Sequence, residues 1–240
     1  MNTEEIIAEI TTGFSTLSGG SRLSVLKKHA INYGAEKFFF GAALFSDYKP
    51  TLDYRVYNGY PDRWQKRYQE KNYFDEDLTV AHCKEKTTPI LWPVHDSSIS
   101  RINKKIFSEA SEFGLEAGIS LPFHSSSGEY GALALSVSEN FQKSSLSNPG
   151  NLFALQVLGA TLFDRCRSKI KKNKTITLTK REKECLKWVA AGKTSWETGK
   201  ILSISERTVV FHLQNAASKM DTTSRISAVV RAFLSGDISI

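Results

Sequence analysis

The chain has 240 residues, of which 40% are hydrophobic and 24% charged, with a formal net charge of +7, an ordinary composition for a globular cytosolic protein of one large or two modest domains. No apolar run approaches the roughly 20 residues that a membrane-spanning helix needs, and the acidic start of the chain contains no signal-peptide core, so we expect a cytoplasmic protein. Cys83, Cys166 and Cys185 include no Cys-x-x-Cys pair, which argues against a disulfide framework and a structural zinc site and leads us to expect no metal and no cofactor.

Residues 1–164 predict an α+β domain, an α/β/α sandwich in which helices pack on a mostly antiparallel sheet. Apolar residues at helical spacing predict a helix over residues 21–33, and aromatic or alternating stretches predict strands over residues 36–45 and 52–57. The predicted elements that follow are a helix over residues 61–71, a short strand over 89–93, a helix over 103–113, a hairpin of strands 117–124 and 130–137, and a helix over 151–164.

The sequence changes character after residue 164. Six Lys and Arg residues fall within residues 165–174, so we predict a basic linker over residues 165–175, although these residues could instead prolong the preceding helix as a solvated basic end. From Arg165 onward the chain has 16 basic and 6 acidic residues, whereas residues 1–164 carry a net charge of −3. This asymmetry indicates a module that binds a polyanion; a solvated basic face is the alternative.

Residues 176–240 predict an all-α domain of four helices. Three helix starts are marked by residues whose side chains can bond to free backbone N–H groups, two of them with the spacing of a capping box. The predicted caps are Thr179 with Glu182, Thr194 with Glu197, and Ser205. A fourth helix is predicted over about residues 225–234. Two capped helices joined by a short turn predict a helix-turn-helix.

The third of these helices has two different faces. The apolar stripe, which must pack inward, consists of Val209, Leu213, Ala216, Ala217 and Met220. The opposite face carries Arg207, Phe211, Gln214 and Ser218 and would lie in the major groove of DNA. Gln214 can donate to and accept from adenine, whereas Arg207, His212 and Lys219 are better placed for phosphates. A small helical bundle with a charged surface is the alternative.

Four motifs of this region resemble the C-terminal domain of LuxR-family quorum-sensing regulators. They are Leu178-Thr-x-Arg-Glu-x-Glu-x-Leu-x-Trp188, Gly192-Lys-Thr194, Ile201-Leu-Ser-Ile-Ser205 and Thr208-Val-x-Phe-His212. The resemblance covers about residues 176–236. It implies that the recognition helix, predicted from Glu206 to about Met220, reads bases from Val210 and Gln214, and the predicted DNA-binding set also includes Thr208. Val210 stands where we expect a polar or basic residue, and Thr198 where an aliphatic residue is usual. The resemblance therefore implies DNA binding but leaves the operator sequence open.

A dense aromatic cluster precedes an aspartate in the N-terminal half. It consists of Tyr57, Tyr60, Pro61, Trp64, Tyr68, Tyr73 and Phe74, followed by Asp77. Such a cluster is most often core, since Trp64 and Tyr68 lie four residues apart on one helical face. Asp77 needs hydrogen-bond donors if it is buried beside an aromatic wall, because burying even a neutral polar group unpaired costs roughly 2–7 kcal/mol. Asp77 therefore lies either in an exposed loop or in a ligand site.

The same cluster resembles the acyl-homoserine lactone pocket of LasR-type receptors in this family. The matching motifs are Tyr60-Pro-x-x-Trp64-x-x-x-Tyr68, Asn72-Tyr73, Asp77, Ile90-Leu-Trp92, Phe107-x-Glu-Ala110 and Gly114-Leu-x-x-Gly118. The resemblance implies that Trp64 donates to the lactone carbonyl, that Asp77 accepts from the ligand amide, and that Tyr60 donates to the amide carbonyl. Trp92 would wall the lactone ring. The implied ligand-binding set is Tyr60, Trp64, Tyr68, Asp77, Thr79, Trp92, Ser120 and Ser136.

Two residues depart from the family's pocket. Leu78 stands where proline usually follows the aspartate, which predicts a less rigid loop around Asp77. Ala134 stands where Ser or Thr often contacts the amide carbonyl; Ser136, on the same side of the strand, or Ser120 could substitute. The candidate liners for the acyl tail, between the sheet and the helices, are Phe39, Phe40 and Leu133.

Together these features predict a ligand-responsive transcriptional regulator rather than an enzyme. An N-acyl-homoserine lactone would bind the N-terminal domain, and a homodimer would place two helix-turn-helix domains on a two-fold-symmetric site of double-stranded DNA. Leu78 and Ala134 keep an alternative open, in which the same DNA-binding regulator responds to a non-lactone ligand or folds without ligand. An enzyme acting through His124 or Asp77 would lack a nucleophile–base–orienter set, a phosphate loop and a metal cluster.

Overall fold

A computed structural model describes residues 19–45, 52–93, 98–137, 140–171 and 177–239. They form two compact units, an N-terminal unit built around a sheet and a C-terminal helical unit. Within the described ranges, no helix is long and apolar enough to cross a membrane. Among the same residues, no group of three or more His, Cys, Asp and Glu side chains is arranged to hold a metal ion.

The N-terminal unit contains a five-stranded antiparallel sheet with the strand order β2-β1-β5-β4-β3. The strands are β1 (Lys37–Phe45), β2 (Leu52–Asn58), β3 (Ile90–Trp92), β4 (Ala117–His124) and β5 (Tyr130–Val137). The helices are α1 (Gly19–Asn32), α2 (Asp62–Glu70), α3 (Leu78–Glu85), α4 (Arg101–Ser111) and α5 (Pro149–Lys171). The predicted α+β architecture is confirmed, and the hairpin of β4 and β5 has the predicted bounds.

Alternation along the strands divides the side chains of the sheet between two faces. On one face, Phe40 of β1 and Leu133 of β5 are neighbours in register, and Phe123 and Leu133 lie beside Gly159 of α5. A Cβ atom at Gly159 would come within 2.3 Å of the Phe123 ring, so glycine allows α5 to approach the sheet. The other face, which carries Phe39, is turned toward α2, α3 and α4.

Helix α3 is the one α-helix of the described residues that the sequence pattern does not predict. Its eight residues, Leu78–Glu85, form no continuous apolar stripe, and among them Cys83 is buried. Its start is defined by Asp77, whose carboxylate accepts a hydrogen bond from the Thr79 N–H at 2.8 Å. Aspartate is a preferred residue at this capping position, and here the cap places the carboxylate at the N-terminus of α3.

Helix α5 is longer than the prediction at both ends. It continues to Lys171, so residues 165–171 prolong the helix, as the alternative interpretation allowed. Residues 172–176, which include the remainder of the predicted linker, lie outside the described residues. The domain bounds 1–164, 165–175 and 176–240 stay predictions.

The C-terminal unit consists of the four predicted helices. They are α6 (Lys180–Ala190), α7 (Ser195–Leu202), α8 (Glu206–Lys219) and α9 (Arg225–Leu234). Both capping boxes form. The Thr179 N–H donates to the Glu182 carboxylate at 2.7 Å, and the Glu182 N–H donates to the Thr179 hydroxyl at 3.3 Å. The Thr194 N–H donates to the Glu197 carboxylate at 2.8 Å, and the Glu197 N–H donates to the Thr194 hydroxyl at 3.2 Å. Ser205 caps α8 through its side chain, so the three predicted helix starts are confirmed.

The inward face of α8 lies in the core of the helical unit. All five residues of its predicted stripe are at most 7% exposed and belong to one hydrophobic cluster with Leu178, Leu186 and Ala228. An ion pair between a buried and an exposed side chain ties the end of α8 to α6, since the ammonium of the exposed Lys219 lies 2.8 Å from the carboxylate of Glu182, which is 2% exposed. Burial acts to raise the pKa of Glu182, but its bonds to Lys219 and to the capping residue outweigh that effect and hold the pKa below its ordinary value.

Candidate functional site

A cavity of about 160 Å³ opens between one face of the sheet and helices α2, α3 and α4. Seven of the eight predicted ligand-binding residues line it, namely Tyr60, Trp64, Tyr68, Asp77, Thr79, Trp92 and Ser120. Phe39, Ile106 and Leu115 supply part of the apolar wall. An apolar cavity into which a few polar groups converge is the usual form of a small-molecule site.

Asp77 is a buried, paired acceptor on the cavity wall and is 9% exposed. Its Oδ1 accepts from the N–H and the hydroxyl of Thr79 at 2.8 and 2.7 Å, and its Oδ2 accepts from the Tyr68 hydroxyl at 2.9 Å. A carboxylate has about four acceptor positions, so Oδ2 retains one for a further donor. Of the two sequence interpretations of Asp77, the exposed loop aspartate is therefore excluded.

The protonation of neighbouring groups is set by burial and by the charge of Asp77. Burial first, and Asp77 second, raise the pKa of the Tyr60 and Tyr68 hydroxyls well above the ordinary tyrosine value. The same two causes raise the pKa of the Cys83 thiol to about 12. All three groups therefore stay protonated at neutral pH, and the two hydroxyls are available as donors beside one anionic acceptor.

Two indoles line the cavity, and they differ in their hydrogen bonding. The Trp92 N–H donates to the Ser120 hydroxyl at 3.2 Å. Within the described part of the chain, no group accepts a hydrogen bond from the Trp64 indole, which is 4% exposed and packs against Tyr68 and Phe113. The Trp64 N–H is not one of the fully enclosed unpaired polar atoms of the described residues, and a ligand acceptor that reached it would gain a bond that the protein does not supply.

Ser136 is the one predicted ligand-binding residue that does not line the cavity. It is fully buried, and its hydroxyl donates to the Lys37 carbonyl at 3.5 Å. Ala134 presents a methyl group to the cavity, and Ser120 is its cross-strand neighbour on β4. Of the two serines considered as substitutes for a hydroxyl at position 134, the cavity contains Ser120.

Strand alternation also separates the predicted liners of the acyl tail. Phe39 lines the cavity, whereas Phe40 and Leu133 belong to the opposite face of the sheet. Adjacent residues of a strand point to opposite faces, so Phe39 and Phe40 do not share one cavity. On β5, the residues on the cavity side are Ala132 and Ala134.

Several cavity residues have no role in the sequence prediction. They are Val80 and Cys83, from the unpredicted helix α3, and Ile106, from α4, whereas the cavity residues Phe107 and Ala110 of α4 belong to a motif of the resembled pocket. The α4 residues recur at intervals of three and four, which marks one face of a helix. That spacing was the available signal for α4; among the apolar residues of α3 that line the cavity, only Val80 and Cys83 show it, over a single turn.

The solvent face of α8 carries the predicted base-reading residues. Arg207, Val210 and Gln214 are exposed, and their spacing of three and four places them on one side of the helix. Phe211, next to them, is 57% exposed, and its ring centre lies 5.8 Å from that of His212. This face is free to enter a groove because the opposite face is committed to the core.

Two predicted DNA-binding residues already have partners inside the protein. The Thr208 hydroxyl lies 2.8 Å from that of Ser205 in the first turn of α8. Lys219, in the last turn, pairs with the buried carboxylate of Glu182 and also donates to the Thr177 carbonyl at 3.4 Å. A phosphate contact by Lys219 would compete with that ion pair.

Two protein families match this chain over separate regions. Residues 21–166 match the autoinducer binding domain, and residues 176–232 match the bacterial regulatory proteins of the luxR family. The first region contains the cavity, and the second contains α6 to α8 and most of α9. The family membership that the sequence motifs indicated for both regions is thereby confirmed.

Individual relatives extend over most of the chain. It is 35% identical to the transcriptional activator protein LuxR of Aliivibrio fischeri, over 78% of this chain and 76% of the relative, and 33% identical to the transcriptional activator protein VanR of Vibrio anguillarum, over 86% of each. Both relatives are transcriptional regulators, which are not enzymes. The crystal structure of Escherichia coli SdiA shares the fold, with a TM-score of 0.70 at 22% identity over 97% of this chain and 96% of that one. SdiA in complex with octanoyl-rac-glycerol gives a TM-score of 0.69 at 21% identity, over 98% and 97%.

Proposed function

The chain belongs to the LuxR family of bacterial regulatory proteins, and on that premise we propose that its ligand is an N-acyl-homoserine lactone and that it acts as a cytoplasmic homodimer. It joins an autoinducer-binding domain to a helix-turn-helix DNA-binding domain. The single observation that carries the proposal is that one apolar cavity is lined both by an indole donor without an acceptor among the described residues, Trp64, and by an anionic acceptor, Asp77.

The polar groups of the cavity fit the ligand's functional groups one by one. An acyl-homoserine lactone has one amide N–H donor, and Asp77 has one unused acceptor position beside Tyr68. The lactone carbonyl needs a donor, which the Trp64 indole supplies. The amide carbonyl would accept from the Tyr60 hydroxyl, whose raised pKa keeps it protonated.

Ser120 is our candidate for a second donor to the amide carbonyl. Its oxygen accepts from the Trp92 indole, and a hydroxyl that accepts one bond still has its own proton to donate. Position 120 lies directly across the strand pair from Ala134, so the hydroxyl missing on β5 is supplied from β4. Trp92 would then both wall the lactone ring and orient Ser120.

The pocket assignment is tested by ligand-induced thermal stabilisation of the full chain with a series of acyl-homoserine lactones of short to long chains. A ligand at about a hundred times its Kd stabilises a fold by about 2.7 kcal/mol. Asp77→Asn and Trp64→Phe should each abolish most of this stabilisation. Asp75→Asn and Trp196→Phe, the same changes at exposed positions outside the cavity wall, are the matched controls. Unchanged stabilisation in both cavity variants would remove the pocket assignment.

A second candidate ligand is a monoacylglycerol. The solved complex of SdiA contains octanoyl-rac-glycerol, and Ala134 removes a hydroxyl that a lactone amide would use. An ester has no amide N–H, so a glycerol hydroxyl would have to donate to Asp77. Octanoyl-rac-glycerol and the lactones are compared in the same melting experiment, and stabilisation by the glycerol ester alone would favour this second ligand.

The proposed output is recognition of a two-fold-symmetric DNA site by two copies of α8. A single recognition helix reaches only a few base pairs, and dimers of helix-turn-helix proteins place two such helices one helical turn of DNA apart. The contacts we propose to bases are those of Val210 and Gln214, with Arg207, Thr208 and His212 toward the backbone. Val210 offers an apolar contact, which suits a thymine methyl group.

A further inference from the structure

The two residues that flank Asp77 in the chain are held by one buried side chain, that of Asn103 on α4. Its Oδ1 accepts from the Leu78 N–H at 2.8 Å, and its Nδ2 donates to the Glu76 carbonyl at 2.9 Å. Nδ2 also donates to the hydroxyl of Ser100, the cap of α4, at 2.9 Å. Asn103 is 7% exposed. These three bonds pair its amide oxygen and both amide N–H groups within the protein.

We propose that Asn103 is a positioning residue that fixes the Asp77 carboxylate where the amide N–H of a bound ligand reaches it. Asn103 is not part of the cavity wall, so it acts through the peptide groups on either side of Asp77. The inference rests on the proposed function, because it takes Asp77 as the acceptor for the ligand amide.

The hydrogen bonds of the Asn103 side chain to Glu76 and Leu78, called the clamp from here on, join two helices that line the same cavity. Asp77 caps α3, and Asn103 lies in the first turn of α4, whose later residues Ile106 and Ala110 line the cavity. A side-chain amide has both a donor and an acceptor, so it holds the chain on both sides of Asp77. The distance between Asp77 and the apolar wall is thereby fixed by hydrogen bonds as well as by packing.

The Leu78 N–H is the group that makes the clamp necessary. Leu78 is the first residue of α3, and the first N–H groups of a helix have no acceptor within the helix. Asn103 supplies that acceptor. A proline at this position would instead remove the N–H and fix the backbone angle φ, and the extended backbone of Asp77, with φ −71° and ψ 114°, accommodates a following proline.

A double-mutant cycle on the full chain tests the positioning role, with the lactone that stabilises the wild type most as the probe. Asn103→Leu should weaken affinity about ten-fold beside a native Asp77. Beside Asp77→Asn it should weaken affinity less than about two-fold, because little is left to position. Equal losses in both backgrounds would make Asn103 a purely structural residue, and no loss in either would remove the clamp. Lys104→Leu, which introduces leucine at the exposed neighbouring position, is the control and should bind like the wild type.

Leu78→Pro gives an independent test that does not depend on the folding of Asn103→Leu alone. In the combined variant Leu78→Pro/Asn103→Leu, the N–H and its acceptor are both removed and proline restricts the turn, so affinity should return to within about three-fold of the wild type. Failure of proline to restore binding overturns the proposal. A wild-type chain that binds no lactone of the series overturns the proposed function and with it the positioning role, whereas a lactone-binding wild type with an indifferent Asn103 overturns the clamp only.

Discussion

The two oxygens of the Asp77 carboxylate are used differently. Oδ1 accepts twice from Thr79, which fixes the start of α3, and Oδ2 accepts from the Tyr68 hydroxyl. One residue thus serves as a helix cap and as a polar group of the cavity. Because its bonds inside the protein already hold it in place, the proposed ligand donor would meet a preformed acceptor and would not have to order it.

A second residue-scale feature is that the cavity hydroxyl lies on Ser120 of β4, across from Ala134 of β5. Ser120→Ala should weaken lactone affinity about five-fold, the equivalent of one neutral hydrogen bond of about 1 kcal/mol. Ala134→Ser in the Ser120→Ala background should restore it, because position 134 is the cross-strand neighbour. Isothermal titration calorimetry measures both. Ser136→Ala is the control, and a comparable loss there would return the donor to β5.

At the scale of elements, helix α8 divides its residues between core and solvent. Val209 and Leu213 are at most 5% exposed, whereas Val210 and Gln214 are exposed. A one-residue difference in position therefore separates a core residue from a base-reading candidate. Changes on the two faces have separable effects, the one on stability and the other on DNA recognition.

That division predicts how DNA binding responds to substitution. Gln214→Ala should relax the preference at one base pair by about 1–3 kcal/mol, while Arg207→Ala should weaken binding to all sequences and reduce the salt slope by about one. Competition binding on duplexes selected from a random library by the wild type measures both. Ser218→Ala, on the same exposed side, is the control. A sequence-specific effect of Arg207→Ala would show that its contact is to a base.

The ion pair between α6 and α8 predicts a pH dependence of stability. The pKa of Glu182 is lowered in the folded chain, so its contribution is fully present above the unfolded-state pKa of about 4.3 and is lost as the pH falls through the lower folded-state pKa. Glu182→Gln should lower the free energy of unfolding by about 1–3 kcal/mol at neutral pH, and the difference should shrink in acid. Thermal unfolding at a series of pH values measures this.

Glu184→Gln is the matched control for that experiment. Glu184 pairs with Arg181 one turn away on the surface of α6, and such exposed pairs contribute little. A pH profile of Glu182→Gln that runs parallel to the wild type would contradict a stabilising ion pair between Glu182 and Lys219. Lys219→Ala is expected to destabilise the chain through the same pair, so loss of DNA binding in that variant does not by itself identify a phosphate contact.

At the scale of the whole molecule, the proposed dimer makes DNA binding depend on two half-sites. Two linked recognition helices raise affinity by about 10²–10⁴-fold over one, without new contacts in either. A duplex with one half-site intact and the other scrambled should therefore bind the lactone-loaded chain at least about 10²-fold more weakly. Gel-shift titration at constant salt measures the ratio. Equal affinity for both duplexes would mean that the chain binds DNA as a monomer.

Local features were predictable from the sequence because they depend on residues close in the chain. Capping of α6 and α7 joins residues three apart, and the buried stripe of α8 follows helical periodicity. The aromatic and acidic motif of the cavity was also readable, since seven of its eight predicted residues do converge. Helix α3 was not, because its eight residues have no apolar stripe and its cap, Asp77, looks like a loop aspartate.

The sequence alone determined the α+β and helix-turn-helix architecture, the helix starts and the residue types of the site. The tertiary structure decided which of these residues meet: Ser120 rather than Ser136 lines the cavity, Phe40 faces away from it, and Lys219 is bound to Glu182. It also showed that Asn103, 26 positions after Asp77 in the printed sequence, holds the turn around it. Periodicity and capping act over a few residues, whereas strand register and buried hydrogen bonds join distant ones, so their outcome depends on how the whole chain packs.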